Sequence, residues 1–455
     1  MSKFSSPTQY EITRIEIDSI DITGLFLSLS IYENIYLPII TGDISIIDTD
    51  STNFIEKYRI EGLETISFEF KNALGERLFF NGRLNGIRDK IVKGQKTTYV
   101  MDFNSESMFA NEQQFVTKRY KNTNPEDALS ELVDRIQGKK DLWKGKGLPM
   151  NFIASRWRPV DTIRYILTHS VSTDGNTPNA SNNKNNQNDT SKGITGFLCW
   201  ETLNGYRFSS ISNMLAGKSG NDAGVFVKRL QNNSLSMNDT MNSIISYEFK
   251  TLGDFQSKLR SGAFANTMIM VDIDKGVYTE TKHEDDTNMT EKQRKLMQNS
   301  SRFLYRVFSN ESLQNDCNKA TENLWDQSKL FQQQNIVGQN VFNDQIGSFT
   351  LAPRFEIHAG DFFEAKLPKI VSQTGGGYDE KHTGRYIISQ VGHHVFNDGR
   401  AYTKISTIRS TVQQDDASSK KTKSEPATRE RVRMVEEGLP YVGRNTGPIR
   451  RFSGL

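Results

Sequence analysis

The sequence predicts an α+β protein that is mainly β, with two similar antiparallel β-barrel-like domains and helical and mixed domains inserted between them. Three observations predict this class. Short alternating segments run from Ile12 to Phe103, similar segments resume at Ile346 and end at Thr411, and amphipathic helical patterns lie between these runs. Alternation of apolar and polar residues with period two is typical of strands with one covered face, so both runs indicate antiparallel sheets.

Length and composition exclude several classes of protein. A chain of 455 residues exceeds the roughly 250–300 residues of one core, so we expect several domains. A net charge of +3 argues against a general polyanion binder. No apolar run approaches the ~20 residues of a membrane helix, and the first residues lack the apolar core of a signal peptide, so we expect synthesis in a cytosol and no membrane association. Cys199 and Cys317 have no Cys or His at zinc spacing, which predicts two buried thiols.

Residues 1–118 are predicted to form the first β domain. Each of its segments is short, alternates apolar with polar residues or is rich in Ile, Phe, Tyr and Thr, and ends at Gly, Asn or Asp. The six segments are ITRIEIDSIDI, LFLSLSIYENI, GDISIIDTD, ETISFEF, LFFNGRLNGIR and TTYVMDF.

A helical and mixed domain is predicted for residues 119–222. Asn124 is a favourable N-cap, Pro125 suits the first helical position, and Gly138 ends this helix. A second helix begins at Pro159. The apolar stripes of the two helices are Leu129, Leu132, Val133 and Ile136 in the first, and Val160, Ile163 and Leu167 in the second.

The same domain contains an Asn-rich segment and a hairpin. Residues 171–192 are nearly free of apolar side chains, which predicts a disordered loop because little surface can be buried there. The following GFLCWETLNGYRFSSI predicts two strands joined by a tight turn at Asn204-Gly205, since glycine readily adopts positive φ.

The second β domain is predicted to combine residues 223–282 with residues 340–412, around a helical insertion at 283–339. In the insertion, Thr290-x-x-Gln is a capping box ahead of an apolar stripe. Residues 413–455 mix basic and acidic side chains and are predicted to be a polar, flexible tail that folds on a partner. The stripe that follows the capping box is Leu296, Phe303, Leu304 and Val307.

The two β domains resemble one another segment by segment. EGLETISFEF, FFNGRLNGIRD and KGQKTTYVMDF follow the same order as HAGDFFEAKL, HTGRYIISQVG and DGRAYTKISTI. This order predicts one β module written twice, although antiparallel meanders with glycine turns also align loosely by chance. Three copies of such a chain would present six similar modules, and a closed ring leaves no open sheet edge. The alignment pairs Gly62, Gly82 and Gly94 with Gly360, Gly384 and Gly399.

Four histidines are candidate metal ligands by residue type, namely His358, His382, His393 and His394. His393 and His394 are adjacent on a predicted strand, so their side chains point to opposite faces and cannot clasp one ion. His358 and His382 lie elsewhere and lack a carboxylate at regular spacing. We therefore predict no metal site and a structural role for the histidine pair.

Other motifs also lack the residues that their chemistry needs. AGKSG at 216–220 resembles the end of a phosphate-binding loop, but Ser212 stands where the earlier glycine is required. Asp272-x-Asp274-x-Gly276 begins like a calcium loop without its later ligands, which favours a strand turn. No pair of carboxylates is singled out for glycoside hydrolysis, and Gly-x-Ser-x-Gly and zinc-protease motifs are absent from the sequence. The sequence thus predicts no catalytic, cofactor-binding or metal residues, and no enzyme.

The order of these segments resembles the central baseplate hub proteins of contractile-tailed bacteriophages, a family related to the hub portion of type VI secretion spike proteins. The resemblance rests on GRYIISQVGHHVFNDGRAYTKIST, on IGSFTLAPRFEIHAGDFFEAKL, on the hairpin GFLCWETLNGYRFSSI and on the first β domain. It implies that the two β domains are tube domains of a homotrimer whose pseudo-sixfold ring matches the hexameric tail tube and holds the trimeric spike.

This resemblance leads to a functional hypothesis with two alternatives. The hypothesis is a structural hub of the virion's tail baseplate, with a tail spike protein, a tail tube protein and a tape-measure protein as partners, and with DNA passing through the lumen without specific binding. The alternatives are a tail-associated peptidoglycan hydrolase and a simple tail-tube subunit, which would carry one β module and assemble as a hexamer.

Overall fold

One large curled sheet dominates the structure and is accompanied by three small sheets. This architecture confirms the predicted class, a mainly β protein with helices inserted between two similar β regions. The structure, a computed structural model, describes residues 4, 6–49, 53–174, 196–229, 236–252, 255–263, 265–273, 276–284, 301–308, 342, 345–369, 377–379 and 382–409.

The first β region contains most of the strands that the alternating pattern predicts. Buried and partly exposed positions alternate in β4, where Gly42, Ile44, Ile46 and Asp48 are buried, and in β5, whereas β6 alternates only as far as Leu84. The elements are β1 Tyr10–Ile17, β2 Ile20–Asp21, β3 Phe26–Asn34, β4 Thr41–Thr49, α1 Phe54–Tyr58, β5 Thr65–Asn72, β6 Arg77–Lys93 and β7 Lys96–Asn104.

The middle region contains both predicted helices, and their predicted apolar stripes face its core. It also contains an antiparallel strand pair, β8 with β10, that the sequence analysis did not predict. The predicted hairpin forms, but its two turn residues are Leu203 and Asn204, and only Gly205 has positive φ. The elements are α2 Glu106–Gln113, β8 Val116–Thr123, α3 Pro125–Arg135, β9 Lys140–Trp143, β10 Met150–Trp157, α4 Pro159–His169, β11 Phe197–Thr202, β12 Gly205–Ser210 and α5 Ile211–Leu215.

The last region completes the large sheet and adds a small sheet of its own. Strands β16, β15 and β17 form this small sheet, apart from the large one. The elements are β13 Asp222–Val227, α6 Met237–Met241, β14 Ile244–Leu252, α7 Phe255–Ser261, β15 Ala265–Asp272, β16 Val277–Glu284, β17 Arg302–Phe308, β18 Gln345–Leu351, β19 Phe362–Lys366, β20 Gly384–Phe396 and β21 Ala401–Arg409.

The predicted helix of the insertion is wrong at its end. Phe303, Leu304 and Val307 lie in β17, which pairs in parallel with β15. The run RFLYRVF has too few residues for its period to separate helix from strand, and pairing with β15 decides its structure. Thr290, Leu296 and most of 283–339 lie outside the described residues, as do most of the Asn-rich loop 171–192 and the tail 413–455.

The two halves of the large sheet have the same strand order. The order is β3-β4-β7-β6-β5-β1 in one half and β14-β18-β21-β20-β19-β13 in the other, so strands at the same rank along the chain occupy the same place in the sheet. Neighbouring strands are antiparallel throughout, except that β13 is parallel to β19 where β1 is antiparallel to β5. We call these strand sets the first module and the second module.

Two register breaks fix how the modules align. The pairing of β6 with β7 shifts by one residue after Leu84, and the pairing of β20 with β21 shifts after Ile388. The pairing of β3 with β4 likewise shifts after Phe26, and that of β14 with β18 after Ile244. Matching the first pair of breaks makes Tyr99 of β7 equivalent to Thr403 of β21. Matching the second pair and following the pairing through β4 and β18 gives the same equivalence. A chance resemblance of two meanders would not produce this agreement.

This register corrects one detail of the sequence alignment. Because Leu84 is equivalent to Ile388, Gly82 corresponds to Tyr386 rather than to Gly384. The strands matched from the sequence are the equivalent ones, but the glycine pair used as the anchor was wrong by two residues. Gly82 lies inside β6 whereas Gly384 begins β20, and glycine can occupy either position, so the spacing of glycines could not fix the register.

Candidate functional site at the joint between the modules

Strands β3 and β20 join the two modules into one sheet. They pair antiparallel over seven positions, from Asn34 opposite Gln390 to Ser28 opposite Phe396. On one face of this joint the apolar side chains of Leu29, Ile31, Val391 and Val395 are fully or almost fully buried, whereas Tyr32 and Phe396 on the paired strands are exposed. The joint therefore has the character of a continuous sheet interior, and the modules cannot move independently without breaking a strand pair.

The histidine pair lies in this joint and has a structural environment. The Nδ1 atom of His393 lies 3.0 Å from Oγ1 of Thr403, and burial lowers the pKa of His393 to about 3. The Nδ1 atom of His394 lies 3.1 Å from Oγ of Ser30 across the joint, and burial also lowers the pKa of His394. The two imidazoles bond to different neighbouring strands, in line with the predicted opposite orientation.

A buried carboxylate and imidazole tie β3 to the segment before β19. The Nδ1 atom of His358 lies 3.0 Å from Oε1 of Glu33, and the backbone N–H of Ala359 donates to Oε2 at 2.7 Å. Burial opposes both charges, but their mutual attraction outweighs it, so the pKa of Glu33 lies below its ordinary range and that of His358 lies above. The N–H of Leu203 donates to Glu33 as well, which brings the β11–β12 hairpin to the same point.

A fully buried arginine fastens the hairpin to the second module. Arg207 donates from Nε to Asp141 and from Nη1 to Asp361, both at 2.7 Å. The carbonyl of Ala359 accepts from Arg207 at 3.2 Å and from the indole N–H of Trp200 at 2.8 Å. Removing a buried charge from water is unfavourable unless it is paired, and these contacts supply the pairing.

A second buried carboxylate fastens the hairpin to the first module. The N–H of Ile40 and the hydroxyls of Ser105 and Ser107 donate to Glu201. Burial raises the pKa of Glu201 to about 7, against the opposing effect of these hydrogen bonds. The hairpin thus contacts both modules through polar side chains that have their partners inside the protein.

Sequence reasoning missed this polar cluster, which consists of Glu33, Asp141, Glu201, Arg207, His358 and Asp361. One signal was available, since Glu33 falls in phase with the inward-facing Leu29 and Ile31 of β3. A carboxylate on the covered face of a strand needs a buried partner. The partner itself comes from more than three hundred residues away and could not be inferred from spacing.

The remaining candidate residues from the sequence form contacts within the fold. His382 Nδ1 lies 2.7 Å from Oδ2 of Asp379. In the 216–220 segment, Gly220 packs so closely on Gly360 that an added Cβ would lie 2.1 Å from its carbonyl oxygen. Asp272 ends β15 and is paired with Val277 at the start of β16, as a turn between strands requires, whereas Asp274 lies outside the described residues. Cys199 is buried, as predicted, whereas Cys317 lies outside the described residues.

Two negative findings hold for the described residues. They contain no group of three or more His, Cys, Asp or Glu side chains that could hold a metal ion. None of their helices combines the length and the apolar character that crossing a bilayer requires.

Solved structures of two tail proteins are similar in fold to this chain. No family model and no curated protein sequence matches the chain. The crystal structure of the tail protein from Neisseria meningitidis MC58 is similar at a TM-score of 0.53 and 11% identity, over 90% of this chain and 99% of that one. The 43 kDa tail protein of prophage MuSo2 from Shewanella oneidensis is similar at 0.51 and 10%, over 88% and 98%. A component of the type VI secretion system of E. coli follows at 0.40 and 8%, over 89% and 77%.

These similarities concern the fold. At about one identical residue in ten, the chain shares with the two tail proteins an architecture that extends over nearly their whole length. The fold expected from the resemblance to tail hub proteins is therefore confirmed.

Proposed function

We propose that the chain is the structural hub of a bacteriophage tail baseplate. In this proposal three copies form a ring of six modules, whose pseudo-sixfold face matches the hexameric tail tube while its threefold face holds the trimeric spike. The observation that carries the proposal is the duplicated module, because two equivalent modules per chain let a trimer present six similar surfaces. The fold shared with two tail proteins supports the same assignment.

The proposed role is one of assembly geometry rather than catalysis. The buried polar cluster supports this, because its charged side chains contact one another and the backbone inside the protein. The lumen of the ring would let DNA or a tape-measure protein pass without specific binding, in the baseplate of the virion. The chain would be made in the host cytoplasm and would contact no membrane.

The mass of the purified protein in solution tests this proposal. Three chains of 51.7 kDa give a particle of about 155 kDa, which light scattering or native mass spectrometry resolves from a monomer or a hexamer. A monomer that degrades peptidoglycan would instead support the tail-associated hydrolase, and a hexamer would support a tail-tube subunit. The two modules within the chain already weigh against the tube subunit.

A further inference from the structure

The second half of β6 has an open edge. Strand β5 pairs with β6 only from Arg77 to Arg83, and no described strand pairs with the same side of β6 beyond Gly86. The equivalent half of β20, from Gln390 to Phe396, is covered on that side by β3. On the side away from β21, β20 is paired with β19 and then with β3. On the side away from β7, β6 is paired with β5 in its first half alone among the described strands.

A matching open edge belongs to β14. This strand is the second-module equivalent of β3, pairs with β18, and stands at the end of the path of the large sheet. On its other side the described chain offers only a bridge of Val227 to Ser243 and a side-chain contact from Lys228 Nζ to the carbonyl of Ile245 at 2.5 Å. In the first module the equivalent carbonyl, that of Leu27, accepts from the backbone N–H of Asn397 at 2.9 Å.

Exposure at equivalent positions shows the same contrast. Val92 pairs with Thr97 of β7 as Val395 pairs with Ala401 of β21, so these valines are equivalent. Val395 is fully buried beneath the joint, whereas 61% of Val92 is exposed. An exposed apolar side chain on an open edge strand invites association, and Val92 lies on such an edge, whereas the edge at Val395 is occupied by β3.

We propose that the open half of β6 pairs antiparallel with β14 of a second copy of this chain, and so repeats between chains the β20–β3 joint. The register follows from the equivalences. Val395 lies opposite Leu29 and His394 opposite Ser30, and the equivalents of Leu29 and Ser30 in β14 are Tyr247 and Glu248. The proposal therefore places Val92 opposite Tyr247 and Ile91 opposite Glu248 of the next chain, with the number of chains resting on the proposed function.

The two edges make this contact directional. Each chain offers one β6 edge and one β14 edge, so copies join head to tail and continue until a ring closes. Charged side chains and an irregularity on β6 between Arg88 and Ile91 disfavour pairing with an unrelated flat strand. Beyond this irregularity, which the corresponding half of β20 lacks, Ile91 and Val92 occupy the positions of His394 and Val395, and β3 covers those positions in the second module.

Paired cysteines test the register. In the full-length chain, Ile91→Cys together with Glu248→Cys should form a disulfide between chains on mild oxidation, because directly opposite residues of antiparallel strands lie within disulfide reach. Most chains should then migrate as covalently linked trimers in denaturing gels without reductant. Each single variant and the unmodified chain, which retain Cys199 and Cys317, should remain monomers in the same gels.

Two further pairs serve as matched controls. His394→Cys with Ser30→Cys is the equivalent pair at the joint within the chain, and its disulfide should leave the mass on the gel unchanged. Ile91→Cys with Ser246→Cys is two residues out of register and should cross-link less than the proposed pair. If the out-of-register pair cross-links better, the register is wrong.

The outcomes separate this inference from the proposed function. A trimer in solution without the Ile91–Glu248 cross-link overturns the strand pairing and leaves the hub intact. The cross-link in particles of another chain number supports the pairing and overturns the threefold ring, whereas a monomer without any cross-link overturns both. As a variant without cysteines, Val92→Lys should abolish assembly by burying an unpaired charge, whereas Phe79→Lys, an exposed site on the paired half of β6, should not.

Discussion

Glu201 is a buried acid whose pKa is raised by burial to about 7. Its carboxyl accepts from the hydroxyls of Ser105 and Ser107 and from the N–H of Ile40, and the residue is buried. Because burial disfavours the charged form, the folded protein keeps a proton there that an unfolded chain would release. The stability of the contact between the β11–β12 hairpin and the first module therefore depends on pH through this one side chain.

We expect Glu201→Gln to flatten part of the pH dependence of stability. The pKa of Glu201 is raised from 4.5 to about 7, so its contribution is complete below pH 4.5 and is lost as pH rises through 7. The unfolding free energy of the wild type should fall relative to that of the variant by up to about 3 kcal/mol between pH 4.5 and 8. Denaturant titrations across this range measure the difference, and parallel curves for the two proteins would contradict the assignment.

At the scale of elements, the segment before β19 brings the hairpin and the second module together at a glycine. Gly360 has a φ of +88°, and a Cβ there would lie 2.3 Å from Cζ2 of Trp200. The indole of Trp200 in turn donates to the carbonyl of Ala359. Any side chain at position 360 must therefore accept a strained backbone and displace a buried ring.

We expect Gly360→Ala to destabilise the protein by about 2–4 kcal/mol, the sum of left-handed strain and overpacking. Gly399→Ala is the matched control, because its φ is +82° and an added Cβ meets nothing within 4 Å. The control should lose only about 1 kcal/mol from the strain alone. Equal losses in thermal or denaturant unfolding would show that contact with Trp200 is unimportant.

Local patterns predicted those elements whose sequence period is long enough to read. The helices α3 and α4, with Asn124 and Pro125 marking one start, follow from capping and periodicity, and the strands of the first module follow from alternation. Strand β17 was not predicted, because seven residues are too few to distinguish the period of a strand from that of a helix, and because its partner β15 is distant in sequence. The polar cluster and the bulges depend on contacts across the chain, which no local pattern contains.

At the scale of the whole molecule, pairing between copies through the duplicated module would raise the free energy of unfolding of each chain. The described chain has two complementary edges that pairing between copies would cover, and bound partners stabilise the folded state by mass action. Folding and association should therefore be measured together, at stated protein concentration.

We expect the thermal midpoint of the wild type to rise with protein concentration, because dilution favours separate chains whose edges are uncovered. The midpoint of Val92→Lys should not depend on concentration, since this variant is expected to remain monomeric. Scanning calorimetry or fluorescence at several dilutions provides the measurement. A wild-type midpoint that stays constant over a hundredfold dilution would argue against assembly in this range.

The β3–β20 joint has a kinetic consequence. Two modules carried on one polypeptide meet at an effective concentration in the range of millimolar or above, so this joint closes before separate chains collide. In the proposed ring of three such chains, two encounters in solution join the chains and the third contact closes within one particle. Fewer partially built particles would then accumulate during assembly of the proposed ring.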